Sequence, residues 1–325
     1  KTEKKKTTLK QRVMQHSIIN PYFTLSSIPY NVPIFVTNPY RKTIRGAYMG
    51  SERALFELLK EFSVYAGKLA LPYYGKISST MKSITIHEKI QESPVTALDH
   101  GIQELLLAEL MRKGFSDVAF NGEEETHLKF FFRTDYDNGI TVHCDPIDGT
   151  RSFSTGKNRF CTGYTLSRAK NGSHDFFASV VYNPIDDKLF WSYEDSVSKH
   201  PKQKPALKTF ASRRCLNEDG VKKLLGMGYT LFDPGNAHLA IIDVALGNMG
   251  AFLHWPIHVH DALVPFSFAK NYGVFPTDEK GESFRAFKLK HTPAGFSRIP
   301  RLCYFANSEI RDEIIPILQN KKYLL

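Results

Sequence analysis

The segment Asp145-Pro-Ile-Asp148-Gly149-Thr150 directly follows an apolar run, Gly139–Cys144. Two carboxylates three residues apart on a Pro-bearing turn can face one point. That suits a hard, oxygen-seeking cation such as magnesium. Gly149 lets the backbone come close to an anion. If Gly149 and Thr150 open a helix, their N–H groups point at phosphate. The same residues also make an ordinary strand-to-loop turn with an Asp cap. Upstream, Gly122-Glu123-Glu124-Glu125 stands just past another strand-like run. It reads either as ligands or as a solvated acidic loop. Ser93–Asp99 enters a helix, and Thr96 followed three residues later by Asp99 resembles a capping box. His254, His258 and His260, with His238 before them, have a spacing that zinc accepts. Scattered histidines more often hydrogen-bond locally.

The elements that would position these residues follow from periodicity. Leu55, Leu58, Leu59, Phe62, Tyr65, Ala66, Leu69 and Ala70 fall on one helical face, which Pro72 ends. A second helix is expected over Val95–Leu110, with Gly114 as its stop. Strands are expected over Asp117–Asn121, Gly139–Cys144, Cys161–Ser167, Phe177–Tyr182 and Lys188–Tyr193. The C-terminal half reads as a helix over Ala237–Leu246, a strand over Gly250–Leu253, a helix over Asp261–Asn271 and a last helix over Ser308–Gln319. This is an α/β mixture without internal repeats.

Totals limit the classes. With 325 residues, 42% of them apolar or aromatic, the chain can bury a large core. A charged share of 23% argues against wholesale disorder. The most apolar stretch, His238–Trp255, is broken by Asp243, Gly247, Asn248 and Gly250, so it reads as buried protein and no membrane span is expected. No secretory pattern opens the sequence. Four cysteines without a C-x-x-C pair form no disulfide scaffold, and reduced thiols in the cytoplasm are expected. The net charge is +10, but residues 1–50 carry nine Lys or Arg against Glu3 alone, which accounts for +8 of it. A basic extension on a near-neutral body can bind a polyanion or serve as an organellar address. It does not make the body a nucleic-acid reader.

Ser93–Asp99, Gly122–Glu124, Asp145–Thr150 and His258–Asp261 occur in the order and rough spacing of the inositol monophosphatase superfamily. The resemblance runs from about Ser51 to Leu318. It extends to Ser179–Lys188, like the family's hairpin, and to Leu302–Asn307, like its late strand. It implies a layered αβαβα sandwich of the inositol monophosphatase and fructose-1,6-bisphosphatase type over residues 51–325, preceded by a partly ordered extension, and a homodimer. It implies two to three Mg2+ ions. Glu123, Asp145 and the Ile147 carbonyl would hold one; Asp145, Asp148 and Asp261 a second; Glu123 and waters a third. Asp99 and Thr150 would orient and deprotonate the attacking water, with Glu124 in support. Gly149, Thr150, Arg151, Gly235, Asn236, Ala237 and His254 would line the substrate side.

The sequence departs from the family at four places, one of them an unusual His238 at the end of the segment Gly235-Asn236-Ala237-His238. His260 replaces a tryptophan. His254 replaces a glutamate that accepts hydrogen bonds from inositol hydroxyls. Arg151-Ser152 replaces the usual x-Asn, and Arg151 reads either as a solvated surface side chain or as a second anion contact. The activity expected from the resemblance is hydrolysis of a small phosphomonoester: an inositol phosphate, a sugar phosphate, histidinol phosphate or a 3′-phosphonucleotide. The rival expectation is a catalytically inactive relative whose basic extension binds a partner or polyanion.

Overall fold

Ser51 starts the first helix by accepting the Ala54 N–H on its hydroxyl, as an N-cap should. This computed structural model describes residues 51–76, 97–203, 208–213, 215–289, 291–292, 295–296 and 298–324. The basic extension 1–50 and the Ser93–Thr96 cap lie outside the described residues.

Helix α1 spans Glu52–Ala70, followed by a 3-10 turn Leu71–Tyr73, and α2 spans Ala97–Arg112. Then come β1 (Ala119–Gly122), β2 (Gly139–Asp148), the short α3 (Thr150–Thr155), β3 (Cys161–Lys170), β4 (Ser173–Asn183), β5 (Lys188–Tyr193) and β6 (Ser196–Val197). The second half holds β7 (Thr209–Arg213), α4 (Glu218–Gly226), β8 (Thr230–Leu231), α5 (Ala237–Leu246), β9 (Ala251–His254), α6 (Val259–Leu263) and α7 (Phe266–Asn271). After these come β10 (Pro276–Thr277), β11 (Phe287–Lys288), β12 (His291–Thr292), β13 (Gly295–Phe296), β14 (Leu302–Phe305) and α8 (Ser308–Gln319).

Strands β1 to β6 form one sheet in sequence order, with β11 added beside β4. A second sheet runs β10-β14-β9-β7-β8. Helices α1 and α2 cover one face of the first sheet, and α5 touches strands of both sheets. Helix α8 packs on β14 and completes the layers. Two cores result. Phe56, Leu59, Ile102, Leu106, Val142 and Tyr164 fill the space between α1, α2 and the first sheet. Leu239, Ile241, Val244, Phe252, Phe266 and Ile314 fill the space around α5.

Several expected boundaries are corrected: β3 runs on past Ser167 to Lys170, β4 begins at Ser173 rather than Phe177, and two further changes bear on the site. The helix expected over Asp261–Asn271 is two short helices, α6 and α7, parted at Val264-Pro265. Proline lacks the N–H that would continue α6. The strand expected to stop at Cys144 runs on to Asp148, through an irregularity described below.

Close approach of the chain shapes the junction between β2 and α5. Gly149 has φ +88°, and a Cβ there would stand 2.9 Å from Asn236 Cβ and 3.0 Å from the Gly235 carbonyl oxygen. Gly149→Ala is therefore expected to lower unfolding free energy by about 1–3 kcal/mol. Gly101→Ala, whose Cβ meets nothing within 4 Å, is expected to be neutral or stabilising by about 0.5–1 kcal/mol. Urea unfolding of both variants checks the contrast.

Candidate active site

Residues i and i+3 of a regular strand point to opposite faces. Asp145 and Asp148 avoid this because β2 is irregular between them. Asp145 pairs with Gly163 and Asp148 with Cys161, so three steps on β2 oppose two on β3. That is the count of a β-bulge. Its effect shows in the core. Val142, Cys144 and Ile147 all join the cluster beneath α1 and α2, which leaves Asp145 and Asp148 on the other face, toward α5. Pro146, with no N–H to donate, sits inside the irregular stretch.

Glu123 follows the end of β1. Its N–H donates to the Cys144 carbonyl at 3.1 Å, which holds it beside Asp145. Asp261 lies in the first turn of α6. Asp145, Asp148 and Asp261 each place a carboxylate oxygen within 4.8 Å of the others. Asp99, in the first turn of α2, is buried. Burial first, then the charges of Glu123, Asp148, Asp261 and Asp99, push the Asp145 carboxyl well above the usual carboxylate range. Asp145 Oδ1 is buried with no hydrogen-bond partner. A crowded set of hard oxygen donors with one orphaned oxygen fits a magnesium-type cation.

The remaining residues expected to bind metal or position water are held tightly. Asp148 sits at the N-terminus of α5, where it accepts the Ala237 N–H at 3.2 Å and the His238 N–H at 2.6 Å. Those amides and the helix dipole favour its negative charge. Asn236 caps the same helix through the Leu239 N–H. Thr150 donates its hydroxyl to the Ile147 carbonyl at 3.1 Å, so two expected site residues are joined directly. Glu124 is buried, and its carboxylate lies 3.2 Å from His100 Nε2. Gln103 clamps the Glu124 backbone from both sides: its Nε2 donates to the carbonyl at 2.6 Å and its Oε1 accepts the N–H at 3.1 Å. Neither His100 nor Gln103 was signalled by sequence, except that Gln103 follows Asp99 by one helical turn.

On the expected substrate side, Gly235 and Asn236 meet the β2–β3 connection. Ser152 donates to the Gly235 carbonyl at 2.9 Å, and the Asn236 amide donates to the Arg159 carbonyl at 2.8 Å. Arg151 is exposed on α3. His254 is largely buried at the end of β9, paired with Leu302 and Arg213. His258 and His260 stack, with ring centroids 5.1 Å apart. Among the described residues, His254, His258 and His260 form no metal-spaced triplet. His238 reaches Asp145 and Asp148, while His260 Nε2 lies 3.8 Å from Asp261. His238 is buried, and its Nε2 lies 3.7 Å from Asp145 and donates to the His260 carbonyl at 3.0 Å. Burial pushes its imidazole below the ordinary histidine range, against the opposing pull of Asp148.

Two mixed sheets layered with helices, and an acidic cluster at the carboxyl ends of β1 and β2, define a layered α+β fold with its carboxylates gathered at strand ends. Residues 55–266 match the model of the inositol monophosphatase family, and the chain belongs to that family. It is 36% identical over 100 residues to a histidinol-phosphatase of Chlorobaculum parvum, covering 31% of this chain and 34% of that protein. It is 38% identical over 96 residues to inositol monophosphatase 2 of Saccharomyces cerevisiae, covering 30% of each. The chain thus spans about a third of the length of the curated relatives it matches. Among solved structures, an IMPase of Thermotoga maritima is similar with a TM-score of 0.61 at 21% identity, over 82% of this chain and 97% of that one. The extragenic suppressor protein suhB of Bartonella henselae gives 0.64 at 19%, over 82% and 99%. At these identities the likeness is one of fold.

The raised Asp145 carboxyl has a consequence for the cation-free protein. An acid whose pKa is raised on folding binds its proton more tightly in the native state. Stability is therefore lost as pH rises from the ordinary Asp range through the raised native value. Asp145→Asn removes that loss. Its melting temperature, measured in chelator at neutral pH, should exceed that of wild type by about 2–4 °C, and the difference should vanish near pH 4.

Proposed function

We propose that this protein hydrolyses a phosphomonoester of a small metabolite, using divalent cations, magnesium foremost, held by Glu123, Asp145, Asp148, Asp261 and the Ile147 carbonyl. The observation that carries this reading is the orphaned, buried oxygen of Asp145 inside a carboxylate triplet of ligand spacing. Family membership and the phosphatase names of the curated relatives agree with it. Bound cations would offset the carboxylate charge, polarise the phosphate oxygens and acidify a water.

The protein's own groups do the positioning. Asp148 is fixed by two α5 amides, so its carboxylate keeps one orientation. Thr150 and Asp99 orient the attacking water and take its proton, with no covalent intermediate on the protein. Glu124, braced by Gln103 and facing His100, supports that water. The Gly149–Thr150 turn and the Gly235–Ala237 turn frame the substrate, and exposed Arg151 is free to meet a second anionic group. His254, where inositol monophosphatases carry a glutamate, disfavours a plain inositol phosphate and leaves histidinol phosphate, a sugar phosphate or a 3′-phosphonucleotide in front. A cytoplasmic homodimer and two to three Mg2+ ions complete the reading, by kinship with the family. No helix among the described residues is long and apolar enough to cross a membrane. Residues 1–50 would form a basic extension outside the hydrolase body.

Phosphate release from a panel of these esters, with and without magnesium, tests the proposal. Release should require magnesium and fall by about 100-fold or more in Asp145→Asn. Magnesium-independent release, or full activity in the variant, would contradict it. For a bisphosphate substrate, Arg151→Ala should raise KM about tenfold with kcat little changed, the sign of a contact made equally in ground and transition states.

A further inference from the structure

Beneath the carboxylate triplet lies a second group with different chemistry. Cys161 Sγ stands 3.7 Å from Asp148 Oδ2 and 3.8 Å from His238 Nδ1. His238 Nδ1 stands 3.6 Å from the same Asp148 oxygen. The three atoms form a nearly equilateral triangle, and Cys161 and His238 are fully buried. Zinc binds oxygen and nitrogen at about 2.0–2.1 Å and sulfur at about 2.3 Å, so three of its tetrahedral positions span edges of about 3.3–3.6 Å. The triangle needs to contract by only about 0.2–0.3 Å to reach those dimensions.

The surroundings prepare the same three atoms. His238 Nε2 donates to the His260 carbonyl, which leaves the lone pair on Nδ1, the nitrogen that faces the triangle. A ring N–H donated to a backbone carbonyl is the usual support of a metal-bound histidine. The imidazole fits only because residue 163 is glycine. A Cβ there would lie 2.4 Å from His238 Nδ1. On β3, Cys161 and Gly163 share one face, two residues apart, opposite Asp148 and Asp145. The bulge that aligns the two aspartates therefore also aligns the thiol with the imidazole.

From this we infer a binding site for a borderline-soft divalent cation, zinc above all, made by Cys161, His238 and Asp148. Binding deprotonates the thiol, whose proton passes to solvent, and leaves a fourth position open for water. Sulfur and imidazole nitrogen are poor ligands for magnesium and good ones for zinc, so the site selects against the hard cation beside it. Asp148 belongs to both triplets, which couples zinc occupancy to the carboxylate site. That coupling rests on the hydrolase reading; the zinc site itself does not.

The test uses the full chain. Cobalt(II), added as a zinc surrogate in magnesium excess, should give a near-ultraviolet thiolate-to-metal band that one equivalent of zinc abolishes. Equilibrium dialysis against zinc and excess magnesium should retain one zinc per chain. Cys161→Ser, a near-isosteric change, should lose the band and weaken zinc retention at least about tenfold, with the melting temperature of the chelator-treated variant reporting that it folds. His238→Gln should weaken retention similarly and keep a shifted cobalt spectrum. Absence of the thiolate band in wild type, or zinc retention unchanged in folded Cys161→Ser, would overturn the inference. The band appearing in a protein that releases no phosphate from any ester would leave the zinc site standing and remove the hydrolase reading.

Discussion

Mutual repulsion among Glu123, Asp145, Asp148, Asp261 and Asp99 is the constraint around which the rest of the molecule is arranged. Asp145 is buried, and all four others act on it. Such a cluster weakens a fold unless the scaffold is rigid or a cation offsets the charge. The scaffold supplies rigidity from two sides. One apolar core lies beneath α1 and α2, and the other surrounds α5. The carboxylates stand where strand ends and helix starts converge between them. Backbone amides of α5 hold Asp148, and Gln103 holds the loop that carries Glu124. The site is built on secondary structure more than on free loops, which favours precise placement of ligands.

One extra residue in β2 gives that site its geometry. Without the bulge, Asp148 would point into the core with Val142 and Cys144, and Ile147 would point toward α5. With it, two carboxylates share a face, and Cys161 and Gly163 of β3 share the same face. The fold thereby creates two adjacent donor sets of different hardness. Oxygen atoms of Asp145, Asp148 and Asp261 make one; sulfur, nitrogen and oxygen of Cys161, His238 and Asp148 make the other. Asp148 is the hinge of this arrangement, and its orientation is set by neither set but by the helix behind it.

Much of this was legible in the order of residue types. Helices α5 and α8 have the bounds that apolar period and caps indicate, because Asn236 and Asn307 cap them and Gly247 stops α5. Glu123, Asp145 and Asp148 were legible because they follow strand-like runs, whereas Asp99 and Asp261 acquire a role only through the family resemblance. What escaped reading depended on pairing across the chain. A Pro-bearing bulge looks like a strand end, since proline ordinarily interrupts a ladder, so β2 reads as stopping four residues early. Pro265 divides a helix that apolar period alone would continue. The meeting of Cys161 with His238, 77 positions apart in the sequence, follows from sheet register and from the missing Cβ of Gly163, and neither leaves a local signal. The histidines near one another in sequence, His254, His258 and His260, suggested a zinc spacing, yet tertiary structure recruits His238 instead.

The central claim is that the carboxylate cluster is a divalent-cation site, and the most direct measurement is anomalous diffraction from crystals soaked in manganese as a stand-in for magnesium. The account predicts a strong anomalous peak bounded by Asp145, Asp148 and Asp261, with at least one further peak at Glu123. A map with no peak at these carboxylates, at manganese concentrations that saturate a magnesium-type site, would contradict it.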